Sequence, residues 1–177
     1  WYGPSGGTLC EAIQQPTIAS LDASDGIGRD DLALVVRSVS DGSVIAAGNF
    51  NNLNIFEFSS WLCDFLKTYP KMVFLPEMKS SARSITDHVC YRLIEAGENP
   101  FKRIYNTVVQ EGETKADNMD LIRRYGTNPA TVQRFKDKFG YITSGSGENA
   151  RNVLFGRNLT EAARLTGRSV RDVKTID

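Results

Sequence analysis

Hydrophobic and polar positions alternate in short runs near the start of the chain. Thr17-Ile-Ala-Ser-Leu-Asp-Ala23 reads as a strand running into an acidic turn, Asp25-Gly26-Ile27-Gly28. Leu32-Ala-Leu-Val-Val-Arg-Ser-Val39 is a second strand, rich in β-branched residues, and Asp41-Gly42 signals a hairpin into a third, Ser43–Phe50. The period then changes. Phe56, Phe58, Trp61, Leu62, Phe65, Leu66 and Tyr69 recur at helical spacing with Ser59, Ser60, Asp64 and Lys67 between them, and Pro70 stops the helix. Met72-Val-Phe-Leu75 is wholly apolar, which predicts a strand buried on both faces and parallel to the first. Ser81 to about Ala96 predicts a second helix, with Ile85, His88, Val89 and Leu93 on one side and Gly97 as its stop. Phe101–Thr107 is expected as a fifth strand.

The remainder is more polar. Residues 108–127, rich in Gly and Asp, are expected to form a mobile insertion. Asn128-Pro129 starts a helix in the favoured order of cap then proline, ending at Gly140. Further helices are expected from about Glu148 and from Asn158, where Asn158 and Glu161 have capping-box spacing. Ser169-x-x-Asp172 signals one more helix start just before the chain stops at Asp177, as in a fragment of a longer polypeptide. Residues 1–177 are read as one domain.

Composition narrows the chemistry. No apolar run approaches the roughly 18–20 residues that span a bilayer, and the first residues lack the basic and apolar regions of a signal peptide. Cys10, Cys63 and Cys90 are odd in number and far apart, which predicts free thiols of structural role in a reducing compartment. A single histidine, His88, on an apolar helix stripe, argues against a His-rich zinc site or a histidine-based triad and leaves carboxylates to carry any chemistry. The net charge of +0 conceals a balance of −5 over residues 1–60 and +5 over the rest. Asp22, Asp25, Asp30 and Asp31 form an acidic knot that solvent or a bound cation must neutralise.

The succession of three antiparallel strands, helix, buried strand, helix, strand, then helices is the RNase H-like α/β arrangement, a mixed sheet with helices on both faces. Strands one and four lie side by side in it, and each ends in a carboxylate, Asp22 and Glu77.

Ser20-Leu-Asp-Ala-Ser-Asp-Gly-Ile-Gly-Arg-Asp-Asp-Leu-Ala-Leu-Val-Val-Arg37 resembles the first nuclease motif of the large terminase subunit of tailed bacteriophages, with Asp22 and Asp30 as its acids. Val73-Phe-Leu-Pro-Glu77-Met-Lys-Ser-Ser-Ala-Arg-Ser84 is similar to the second, a buried strand ending in Glu before a helix, although Lys79 and Ala82 stand where that family carries Asn and Gly. Nothing in residues 140–177 matches the family's third acidic motif, and no Walker-type loop of its packaging ATPase is present.

The resemblance implies an endonuclease that cuts concatemeric viral DNA during genome packaging in the host cell cytoplasm. Its cofactors would be two Mg²⁺ or Mn²⁺ ions roughly 3.5–4 Å apart, hard cations that suit oxygen ligands. Asp22 would bridge them, Glu77 would ligate one, and Asp30 would support a metal-bound water. Lacking the third acid, the chain is expected to bind metal weakly or singly and to cleave slowly. Asp25 and Asp31 are read as turn residues that add negative potential. Double-stranded DNA would be held through its phosphates by Lys79 and Arg83 beside Glu77 and by Arg151, Arg157 and the other basic residues of 151–174. A packaging ATPase domain, the portal and the small terminase subunit would be the partners of the full-length protein, in which any oligomer would belong to the motor. Two other readings stand beside this one: a nucleotide-binding domain of the actin/sugar-kinase type, which also opens with strand, Asp and Gly-containing turn, and a non-catalytic module docking on DNA or the portal.

Overall fold

The computed structural model describes residues 13–23, 32–110, 116–143 and 146. Thr17–Ala23 (β1), Leu32–Ser38 (β2) and Val44–Phe50 (β3) form an antiparallel meander, and Met72–Pro76 (β4) joins parallel to β1, giving the order β3-β2-β1-β4. The hairpin between β2 and β3 is built as Asp41-Gly42 predicts, with Gly42 at φ 72°. Asp41 accepts from the backbone N–H and the hydroxyl of Ser43 at 3.1 and 2.8 Å. Those bonds hold its carboxyl below the usual range.

Two helices connect the parallel strands. Ile55–Thr68 (α1) leads from β3 to β4, and Ser80–Glu95 (α2) follows β4 and ends before Gly97. Because both crossovers step the same way across the sheet, the right-handed rule puts them on one face. That face carries Ala19 and Leu21 of β1, Leu34 and Val36 of β2, and Met72 and Phe74 of β4, all buried against Phe58, Leu62 and Leu66 of α1 and Ile85, Val89 and Leu93 of α2. Fully burying a side chain of this size contributes about 1.5–3 kcal/mol, and this layer is the main store of stability. The opposite face of β1 and β4 is less covered: Ile18, Ser20, Val73 and Leu75 are half-buried and Asp22 is exposed. So β4, expected to be buried on both faces, is fully buried on one. The helices expected from residue 148 onward lie outside the described residues.

Two expectations need correction. Phe101–Thr107 is not a strand of several residues. Asn99 accepts from Phe101 N–H at 3.0 Å and Pro100 occupies the first turn, so Pro100–Arg103 (α3) forms instead. Only Ile104 pairs with the β4 edge, opposite Phe74, with Tyr105 N–H donating to Phe74 C=O at 2.8 Å. The polar stretch 108–127 is largely helical, as Thr107–Gln110 (α4) and Ala116–Tyr125 (α5). Val108 and Ile122 are buried while Asp117, Asp120, Arg123 and Arg124 face solvent, so each of these two helices contributes to the core; residues 111–115 lie outside the described residues. Pro129–Arg134 (α6), capped by Asn128, and a 3₁₀ turn at Lys136–Lys138 follow. Phe135 and Phe139 pack their rings on Phe101.

Arg103 ties this C-terminal cluster to α1. Buried to 7% exposure, it pairs with Glu98 at 2.6 Å and donates to the backbone carbonyls of Leu66 and, at 3.2 Å, Tyr69. A cation there complements the negative end of α1. No helix of the described residues is long and apolar enough to cross a membrane.

Candidate metal centre

Asp22 and Glu77 are neighbours because of strand register. In the parallel β1–β4 pair Leu21 lies opposite Pro76, and Glu77 N–H continues the ladder by donating to Leu21 C=O at 3.0 Å. The next residues along, Asp22 and Glu77, therefore stand side by side. Side chains alternate between faces along a strand. Leu21 and Pro76 point into the core, so Asp22 and Glu77 both project from the opposite, open face. Neighbouring strands run about 4.8 Å apart, a spacing at which two carboxylates can share one cation.

Their surroundings differ. Asp22 is exposed, whereas the Glu77 side chain retains only 14% of its exposure. Lys79 places its ammonium 2.6 Å from Glu77 Oε1, and the Thr143 hydroxyl donates to the same oxygen. Thr143 arrives on a short extended segment that lines the far side of Glu77: Tyr141 bridges Glu77, Tyr141 N–H donates to Pro76 C=O at 2.9 Å, and Met78 N–H donates to Tyr141 C=O at 2.7 Å. Glu77 is thus hemmed by β1 on one side and by residues 141–143 on the other.

Gly140 makes that approach possible. Its φ of 74° lies where side chains are rarely accommodated, and a Cβ there would meet Met78 Cγ at 2.3 Å and Pro76 O at 3.0 Å.

The other candidate residues are dispersed. Arg83, on the exposed side of α2, lies 3.7 Å from Asp137. His88 is half-buried with its ring against Phe56, as expected of a packing residue. Cys63 and Cys90 are free and buried, and burial pushes both thiols up. Asp25, Asp30, Asp31, Arg151 and Arg157 lie outside the described residues, as does Cys10. Among the described residues no group of three or more His, Cys, Asp or Glu is placed to hold a metal. The donors gathered here are two carboxylates and a hydroxyl, all hard oxygens, with one ammonium already against Glu77. That set fits a single divalent ion of the Mg²⁺ or Mn²⁺ kind better than a pair.

The sequence pattern did not reveal Thr143 or the segment carrying it. Gly140 reads from the sequence as the stop of the helix begun at Pro129, whereas that helix ends at Arg134 and a 3₁₀ turn ends at Lys138; the run after Gly140 is too short and too polar to register as a strand.

A scan against protein-family models and a search of curated proteins both find no match to this chain.

Proposed function

We propose that this chain is an RNase H-like, metal-dependent DNA endonuclease domain of the kind found in the packaging terminases of tailed bacteriophages. The observation that carries the reading is the juxtaposition of Asp22 and Glu77, the residues that follow the last partners, Leu21 and Pro76, of the parallel β1–β4 pair, on the less covered face of the sheet. The element order, with the Ile104 bridge as a vestigial fifth strand on the β4 edge, is the second support.

Asp22 and Glu77 would hold Mg²⁺ or Mn²⁺, with Asp30 the nearest sequence candidate for a further ligand. A divalent ion in such a site neutralises charge at the scissile phosphate and acidifies a bound water. The chain's own groups would do the rest. Thr143 fixes the rotation of the Glu77 carboxylate by occupying Oε1, and Arg83, exposed on the neighbouring helix, would attract the phosphates of double-stranded DNA. Arg151 and Arg157 would extend that basic track. The packaging ATPase domain, portal and small terminase subunit would be partners of the full-length protein.

Plasmid nicking with Mn²⁺ tests the reading. Wild type is expected to relax supercoiled DNA, and Asp22→Asn and Glu77→Gln are each expected to lose at least about a hundredfold in rate, the scale of losing a metal-positioning group. Equal nicking by wild type and both variants would sink it. ATP binding without nicking would favour the nucleotide-binding alternative, and neither activity the docking module.

A further inference from the structure

We propose that Lys79 is a built-in cation of this site, its ammonium occupying Glu77 where a divalent ion would otherwise bind, so that the acid pair admits one ion at most and holds it weakly. The inference rests on the metal reading above and concerns how that site is controlled. Its starting point is the 2.6 Å contact between Lys79 Nζ and Glu77 Oε1, to a carboxylate that is largely shielded from water. The same oxygen accepts from Thr143, so Oε1 is already engaged by two donors. A divalent ion approaching Glu77 must either displace the ammonium or bind beside a positive charge, and each lowers its affinity.

The lysine is placed for this by the backbone and not by chance reach. Glu77 ends the β4 line, Met78 is buried and anchored to Tyr141 C=O, and Lys79 occupies the N-cap position of α2, where its side chain makes no capping hydrogen bond. A residue normally selected there to satisfy the helix's first N–H groups is Ser, Thr, Asp or Asn. Lysine also puts a positive charge at the positive end of a helix, the unfavourable pole. Two local costs are therefore accepted to keep an ammonium against Glu77. A lysine whose side chain is 36% exposed keeps the freedom to swing away, so the block is reversible. A DNA phosphate is the kind of anion that could draw it off and open Glu77 to the ion when substrate is present.

Mn²⁺ titration followed by calorimetry, on wild type, Lys79→Met and Lys79→Arg, tests this. Lys79 makes no cap bond, so both variants should keep the fold, which far-UV circular dichroism checks; Lys79→Asn, a favoured cap residue, is a second neutral variant. The neutral variants are expected to bind Mn²⁺ about tenfold more tightly than wild type, or to take up a further ion, while Lys79→Arg stays near wild type. Adding Asp22→Asn to Lys79→Met should abolish the gain, which locates it at the acid pair. Neutral variants that bind equally or more weakly than wild type overturn the role of Lys79 and leave the metal reading standing. Absence of Mn²⁺ binding in every variant overturns both.

Discussion

A single backbone position governs how Glu77 is framed. Gly140 turns the chain so that Tyr141 can pair with the end of β4 and Thr143 can reach the carboxylate. An alanine there meets both a positive φ and Met78 Cγ at 2.3 Å. Gly140→Ala is expected to cost about 1–3 kcal/mol in urea denaturation, the range for strain at a left-handed position with a steric conflict. The loss should come with weakened packing of 141–143 rather than of the sheet. Lys79 makes the complementary point. A sequence reading assigns it to DNA phosphates because it is basic and near an acid, and in the folded chain its ammonium also lies against that acid. Charge type was legible; the contact with Glu77 was not, because two residues of spacing leave a lysine free to reach either way.

At the scale of elements, agreement is closest where one strong local signal stands alone. The antiparallel meander, both long helices and the apolar β4 have the periodicities the sequence carries, and their stops at Pro70 and Gly97 follow from missing donors and from a left-handed turn. The start of α1 is similarly local. Asn54 accepts from Glu57 N–H at 2.9 Å and Glu57 accepts from Asn54 N–H at 3.1 Å, a reciprocal cap. Asn54→Ala should lower stability by about 1 kcal/mol in the same denaturation experiment, and through the whole unfolding transition, since α1 packs on both β4 and α2. Agreement fails where two signals compete. Phe101–Thr107 is aromatic and β-branched enough for a strand, but Asn99-Pro100 nucleates a turn of helix first and leaves only Ile104 to pair. In 108–127 the polar residues outnumber the apolar ones, and it takes the folded core to reveal that Val108 and Ile122 are anchors. Half of the candidate site was legible on the same principle: a carboxylate at the end of each of two strands can be read off the chain, while Thr143, delivered from far along it, cannot.

For the molecule as a whole, the packed layer between the sheet and its two crossover helices sets the response to alkali. Cys63 and Cys90 are buried, and burial raises both thiols above their ordinary value of 9.0. Unfolded chains ionise at that value while the folded protein keeps its protons. Stability from this source is therefore complete below pH 9 and falls as pH rises beyond it. A thiol reagent at pH 8 should leave both cysteines unmodified until denaturant is added, and urea midpoints should decline between pH 9 and 10.5; Cys90→Ala should flatten part of that decline. Asp22 and Glu77 are separated along the chain by β2, β3 and α1, and the β1–β4 ladder sets them side by side. The two carboxylates therefore share a place only while β1 and β4 stay paired, and an opening confined to that parallel edge would part them while leaving the antiparallel meander whole.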